Sequence, residues 1–183
     1  MKILSIGNSF SEDAQRYLHQ IAKSAGEDIY CANLYIGGCS LERHYNNIQN
    51  DAADYDYQIN GEHTDIKISI KDALLKENWD YVTVQQVSSF SGIIDSYYPY
   101  IKSVMDYVKE LCPKAEILLH ETWSYEFGSD HGDFKYYDHD SNKMFKMIVE
   151  TNKEVAKREN ISVIIPDGEI IDTLRKTKVF DYQ

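Results

Sequence analysis

The sequence predicts a three-layer α/β/α sandwich built on a mostly parallel, five-stranded sheet. Short runs rich in β-branched and aromatic residues alternate with longer segments of helical periodicity, which is typical of a parallel sheet covered on both faces. The chain has 183 residues, of which 43% are apolar, with only 9 Gly and 3 Pro, so it is neither disordered nor fibrous. Because it contains no repeat and no Pro/Gly/Ser-rich linker, we interpret residues 1–183 as a single domain.

Five segments carry the strand pattern. They are residues 2–6, 29–35, 81–85, 116–120 and 162–165. Between the second and third strands, Asn60-Gly61 is a typical two-residue hairpin turn joining residues 55–59 to residues 63–68. We interpret this hairpin as a small inserted flap.

Three longer helices are indicated by apolar residues at helical spacing. The first carries its apolar stripe at Ala14, Tyr17, Leu18, Ile21, Ala22 and Ala25. Ser11 is placed to cap this helix and Gly26 to end it. The second helix spans about residues 96–111 and the third about residues 141–158.

Composition and charge exclude several classes of partner. The formal net charge is −11, which disfavours electrostatic binding to the phosphate backbone of nucleic acids. No run approaches the ~18–20 apolar residues that a membrane span needs. The three cysteines are widely spaced, so neither a disulfide framework nor a zinc knuckle is indicated. We therefore expect a protein without nucleic-acid or membrane partners, without a cofactor, and either cytoplasmic or exported with its signal peptide removed.

Chemistry is expected where the strands end, since ligands of open α/β sheets bind beyond the carboxyl ends of the strands. The first such loop is Gly7-Asn8-Ser9, between the first strand and the first helix. A serine hydroxyl there lies beside backbone N–H groups that could stabilise an oxyanion. The alternative interpretation is that Ser9 or Asn8 only caps the helix.

Four blocks together resemble the SGNH, or GDSL-like, hydrolase superfamily, in particular an uncharacterised branch of bacterial proteins. They are Ile3-Leu4-Ser5-Ile6-Gly7-Asn8-Ser9-Phe10-Ser11, Gly37-Gly38-Cys39-Ser40-Leu41, Trp79-Asp80-Tyr81-Val82-Thr83-Val84-Gln85-Gln86-Val87-Ser88 and His120-Glu121-Thr122-Trp123-Ser124-Tyr125. They follow the family order from residue 3 to about residue 125. The resemblance implies the SGNH variant of the flavodoxin-like sandwich and ester hydrolysis by a serine nucleophile.

The resemblance also assigns residues. Ser9 matches the nucleophile, and Gly38 matches the glycine whose N–H helps to form the oxyanion hole. The family's third donor is an asparagine side chain after the third strand, where this chain has Gln85-Gln86; we expect Gln86 to supply that N–H. The residues expected to bind substrate are Asn8, Ser88, His120 and Trp123. The substrate would be a small-molecule or carbohydrate ester.

The base that a serine nucleophile needs has no standard candidate. The family takes it from an Asp-x-x-His motif after the last strand, and here Asp181 stands too close to Gln183 for the histidine to follow. We expect the sequence to lack its C-terminal segment; the alternative is a protein that departs from the standard triad. His131 and His139 lie in an acidic stretch, residues 130–140, which we interpret as a solvated loop rather than a metal site.

Two functions follow from these patterns. The first is an SGNH-type serine esterase acting through Ser9. The second is a catalytically inactive module that binds a glycan or acyl ligand in the same cleft. A flavin- or nucleotide-binding protein is a third possibility on fold alone, but the first loop lacks G-x-G-x-x-G.

Overall fold

A computed structural model describes residues 1–177 and places a seven-stranded sheet at the centre of the molecule. The strands are β1 (Lys2–Gly7), β2 (Tyr30–Tyr35), β3 (Tyr55–Ile59), β4 (Glu62–Ile68), β5 (Tyr81–Val84), β6 (Glu116–His120) and β7 (Ile164–Ile165). Their order in the sheet is β4-β3-β2-β1-β5-β6-β7. The β2–β1, β1–β5, β5–β6 and β6–β7 pairs are parallel, whereas the β2–β3 and β3–β4 pairs are antiparallel. The predicted α/β fold class is confirmed.

The helices connect these strands. They are α1 (Ser9–Gln15), α2 (Leu18–Ser24), α3 (Leu41–Gln49), α4 (Ile70–Lys76), α5 (Tyr100–Leu111), α6 (Ser141–Glu159) and α7 (Asp167–Arg175). Short 3₁₀ turns cover Ser88–Phe90, Ile94–Tyr97 and Gly132–Tyr137. The predicted second and third helices correspond to α5 and α6. An apolar core that includes Leu4, Ile6, Leu34, Val82 and Val84 fills one side of the sheet.

The hairpin extends the sheet, so the predictions of a separate flap and of only five strands are wrong. β3 pairs with β2, with Ala32 opposite Ile59 and Tyr35 opposite Asp56. Tyr55 and Tyr57 alternate along β3 and are fully buried, so this strand continues the apolar face of the sheet. The predicted Asn60-Gly61 turn is present, with positive φ at both residues.

The first helix is broken in two, and its predicted apolar stripe does not face the core. Tyr17 is 60% exposed and Ile21 is 62% exposed. The buried residues of α1 are polar: Gln15 donates from Nε2 to Ser5 Oγ at 2.7 Å, and Ser11 donates to Asn33 Oδ1 at 2.8 Å. The strands beneath α1 present hydroxyl and amide groups, so polar residues spaced i, i+4 define its buried face.

Candidate active site

Ser9 is the first residue of α1 and is exposed at the carboxyl end of β1. Asn8, not Ser11 as predicted, caps the helix: its Oδ1 accepts from Phe10 N at 3.1 Å, while Ser11 Oγ accepts from Asn8 N at 3.1 Å. The Ser9 side chain is therefore not used as a cap. Close packing requires Gly7, because a Cβ there would lie 2.7 Å from Gln85 Oε1.

Two backbone N–H groups near Ser9 are free of protein partners within residues 1–177. They are the N–H of Ser9 and the N–H of Gly38. In the turn that follows β2, the donor to Ile36 O is Cys39 N, at 3.1 Å, and not Gly38 N. Gly38 has a φ of +62°, with open space on the side where a Cβ would stand. A residue with a side chain would be strained in this backbone conformation.

Ser9 and Gly38 line one cleft of about 550 Å³. Its other walls are formed by hydroxyl and aromatic side chains and by the loop after β6; they include Ser40, Ser88, Phe90, Tyr125, His131 and Asp133. Ser88 Oγ lies 3.3 Å from Tyr125 OH. The structure thus brings three of the predicted site residues, Ser9, Gly38 and Ser88, to one cleft.

A second, wider groove of about 790 Å³ leads from Ser9 along α1 toward the hairpin. Trp123 lies at one end and packs on Phe10 with ring centroids 4.2 Å apart. The other walls include the charged residues Glu12, Asp13, Arg16 and Glu62, together with Tyr17, Gln20 and His63. Trp123, predicted to bind substrate, is therefore next to Ser9.

Gln86 does not face this cleft as an oxyanion donor. It is 2% exposed, and its Nε2 donates to Ser96 O at 2.9 Å and to Ser96 Oγ at 3.1 Å. Its Oε1 accepts from Leu41 N at 2.9 Å. The geometry speaks against the predicted third donor, because these bonds use both amide hydrogens to hold neighbouring loops.

Asn8 and His120 are also placed away from a bound substrate. Asn8 is fully buried beneath Ser9. His120 is 3% exposed, and its Nε2 lies 2.7 Å from Asp167 Oδ2 at the start of α7. Neither residue is among the described walls of the two clefts that Ser9 lines. Both predictions of substrate contact are therefore unsupported by the geometry.

Two titratable groups, Glu121 and His44, are buried and have shifted pKa values. Glu121 Oε1 accepts from Glu169 N at 3.1 Å, and burial raises the pKa of this carboxyl to about 7. His44 Nδ1 lies 2.9 Å from Tyr55 OH, and burial lowers the pKa of the imidazole to about 3. At neutral pH His44 is an uncharged structural residue.

Sequence reasoning missed His131. The stretch of residues 130–140 is not only a solvated loop, because Phe134 and Tyr137 within it are fully buried. That packing folds the segment over the first cleft, where His131 Nδ1 accepts from Asp133 N at 3.2 Å. The buried aromatic residues of this stretch were the available signal. No hydrogen bond joins Ser9 Oγ to a histidine within residues 1–177, and Asp181 lies outside the described residues.

Two further features of residues 1–177 concern metals and membranes. These residues contain no cluster of three or more His, Cys, Asp or Glu side chains arranged to hold a metal ion. None of the helices in the described part of the chain combines the length and apolarity of a transmembrane segment.

The chain is similar to a described protein family and to a solved structure from that family. The family described as Domain of unknown function (DUF4886) matches residues 2–182. A crystal structure of a DUF4886 family protein from Bacteroides uniformis is 40% identical, with a TM-score of 0.91 over 96% of this chain and 70% of that one. A comparison with curated protein sequences gives no match.

More distant structures share the fold. A proposed SGNH hydrolase from Slackia heliotrinireducens is 19% identical, with a TM-score of 0.64 over 94% of this chain and 82% of that one. An acetylxylan esterase from Geobacillus stearothermophilus is 14% identical, with a TM-score of 0.54 over 96% of this chain and 80% of that one.

Proposed function

The chain belongs to the DUF4886 family and has the fold of SGNH hydrolases, and from this premise we propose that it is a serine ester hydrolase whose nucleophile is Ser9. One observation carries the proposal. Exposed Ser9 lines a cleft together with Gly38, and the backbone N–H groups of both residues have no hydrogen-bond partner within residues 1–177. Such donors are suited to an oxyanion at the position where negative charge develops.

The reaction would proceed through an acyl-enzyme. Ser9 Oγ attacks the ester carbonyl carbon and loses its proton to a base, and the carbonyl oxygen becomes the oxyanion held by Ser9 N–H and Gly38 N–H. The tetrahedral intermediate then collapses, and the alcohol leaves with the proton that the base returns. Water attacks the acyl-enzyme by the same route, which releases the acid and restores Ser9. Within residues 1–177, His131 is the histidine that shares the cleft of Ser9 and Gly38.

The walls of the two clefts favour a small, polar ester. Ser40, Ser88 and Tyr125 line the cleft that Ser9 shares with Gly38, and this polar lining suits a short acyl group rather than a long chain. The groove along α1 offers aromatic faces and charged groups to the alcohol part of the substrate. Aromatic faces and polar groups together suit a carbohydrate, and the acetylxylan esterase of similar fold supports that choice by analogy.

The test is hydrolysis of phenyl acetate and labelling by a fluorophosphonate, with peptide mapping of the modified serine. We expect Ser9→Ala to abolish labelling and to lower kcat/KM by at least about a thousandfold, since the nucleophile is lost. Ser24→Ala is the matched control, because Ser24 is an exposed serine of α2 that bonds only to Ile21 O within the described residues. Equal rates for wild type and Ser9→Ala would exclude Ser9 from the reaction.

A second candidate function is a binding module without catalysis. The observation that favours it is that no histidine within residues 1–177 is hydrogen-bonded to Ser9. Calorimetric binding of an acetylated xylooligosaccharide, without release of acetate over hours, would support this function over the esterase.

A further inference from the structure

Asn8 is a buried joint between three loops of the candidate active site. Its Nδ2 donates to Cys39 O at 3.0 Å, which reaches the loop after β2. Its Oδ1 accepts from Phe10 N at 3.1 Å at the start of α1 and from Gln85 Nε2 at 2.7 Å at the end of β5. The side chain is fully buried, so these bonds are shielded from water.

The orientation of both amides is fixed by backbone groups. Phe10 N can only donate and Cys39 O can only accept, so the atom of Asn8 that faces each of them is determined. Gln85 must then present its NH₂ group to Asn8 Oδ1, because the reverse orientation would oppose two acceptor oxygens. The direction of every bond in the joint is therefore known.

The joint connects the two loops that carry the unused N–H groups. Asn8 directly precedes Ser9, and Cys39 directly follows Gly38. The bond of 3.0 Å between Asn8 Nδ2 and Cys39 O thus links the neighbours of both donors. A change in this bond would alter the separation of the Ser9 and Gly38 N–H groups.

We propose that Asn8 is a positioning residue that sets the distance between the Ser9 and Gly38 N–H groups, and that Gln85 acts on the site through Asn8. The catalytic part of this inference rests on the proposed function. At the end of β5, where the resemblance places a side-chain donor to the oxyanion, the Gln85 amide is instead directed to Asn8. The oxyanion would then be held by the Ser9 and Gly38 N–H groups and not by the Gln85 or Gln86 amide.

From these contacts we expect that position 8 needs an amide side chain. A carboxylate at position 8 would keep one oxygen that accepts from Phe10 N and Gln85 Nε2. Its second oxygen would replace Asn8 Nδ2 and would face Cys39 O at about the same separation, 3.0 Å. Two acceptors at that distance repel each other, and burial strengthens the repulsion. The loop that carries Gly38 would move away from Ser9. A protonated carboxyl group could donate to Cys39 O and restore the joint.

The experiment compares Asn8→Asp with wild type between about pH 5 and pH 8.5, a range across which a buried carboxyl of raised pKa titrates. At the upper end we expect kcat for phenyl acetate to fall by roughly 10- to 100-fold with little change in KM, since a small displacement of an oxyanion donor impairs the transition state. The ratio of variant to wild-type kcat should rise as the pH falls. Gln15→Glu is the matched control, a buried amide-to-acid change on α1 that contacts Ser5 and not Cys39.

A second measurement does not depend on hydrolysis. In ¹⁵N NMR spectra of the full chain, the Gly38 and Cys39 amide signals of Asn8→Asp should shift and titrate with the introduced carboxyl, but not in Gln15→Glu. Gln85→Met, which removes the donor to Asn8 Oδ1, should shift the same signals and gives the readout if Asn8→Asp does not fold. Unmoved Gly38 signals, or wild-type kcat for Asn8→Asp at high pH, would overturn the proposal. Shifted signals in a protein whose wild type hydrolyses no ester would retain the positioning role and refute the esterase.

Discussion

Trp123 is the side chain whose contribution to substrate choice can be measured most directly. It packs on Phe10 beside Ser9 and forms one end of the groove along α1. We expect Trp123→Ala to raise KM for an acetylated xylooligosaccharide about tenfold, since stacking of a sugar on an aromatic face is lost. KM for phenyl acetate, which does not extend into the groove, should change little. Phe127→Ala is the control, because Phe127 lies on the same loop but is 96% exposed.

His44 and Glu121 have opposite effects on the pH dependence of stability. Burial lowers the pKa of His44 to about 3 in the folded chain. Below pH ~6.5 this histidine is therefore protonated in the unfolded chain but not in the folded chain. The free energy of unfolding consequently falls as the pH falls. Burial raises the pKa of Glu121 to about 7 in the folded chain. Above the ordinary pKa of a glutamate, this carboxyl is therefore ionised in the unfolded chain but still protonated in the folded chain. The free energy of unfolding consequently falls as the pH rises toward 7.

Between pH 7 and pH 5 each group should change the free energy of unfolding by about 2 kcal/mol, in opposite directions. Urea titrations at the two pH values test this. Glu121→Gln should be more stable than wild type at pH ~7 and should lose stability toward pH ~5, because the histidine effect is no longer offset. His44→Gln should show the reverse trend. Parallel pH profiles for both variants would contradict the assignment of these pKa shifts.

Individual site residues were predictable to different degrees from the sequence. Ser9 and Gly38 lie in loops that follow predicted strands and contain glycine. Such local sequence patterns are sufficient to predict where a backbone N–H group will lie. Gln86 and Asn8 were assigned to substrate or oxyanion because their amides suit either role. Which partner an amide selects depends on residues distant in sequence, such as Ser96 and Cys39, and that choice is fixed only when the loops meet.

The hairpin of β3 and β4 depends on its turn. Gly61 has a φ of +84°, and a Cβ there would collide with the Arg16 carbonyl at the break between α1 and α2. We expect Gly61→Ala to lower the free energy of unfolding by about 2–3 kcal/mol, since backbone strain and the collision add. Gly26→Ala is the matched control, with a φ of +81° and open space around it, and should cost only about 1 kcal/mol. Equal losses of unfolding free energy in the two variants would show that the collision of the new Cβ with the Arg16 carbonyl adds no cost.

Helices and strands were predicted correctly where a local sequence signal determines them. They were predicted incorrectly where the surface against which they pack determines them. The Asn60-Gly61 turn identified the hairpin, but its pairing with β2 follows from the burial of Tyr55 and Tyr57 against the core. The stripe that includes Tyr17 and Ile21 indicated one continuous apolar helix. Tertiary context overrode it, because the sheet beneath α1 offers Ser5 and Asn33 as partners.

The molecule as a whole carries a net charge of −11, and carboxylates also line the groove beside Ser9. Both features should repel an anionic substrate. We expect kcat/KM for phenyl acetate to exceed that for its sulfonate-bearing analogue at about 20 mM salt, with the ratio shrinking at about 500 mM salt because the repulsion is screened. Glu62→Gln should reduce the ratio at low salt. A ratio that does not change with salt would mean that charge has no part in substrate choice.

The hydrogen bonds between α1 and the sheet also affect which parts of the protein could change during evolution. Apolar contacts permit small sliding movements of a helix, whereas hydrogen bonds such as those from Gln15 to Ser5 and from Ser11 to Asn33 constrain direction as well as distance. Rotation of α1 about its axis would break both at once. Loops around the cleft could therefore be exchanged during evolution while the helix that presents the reactive hydroxyl kept its alignment.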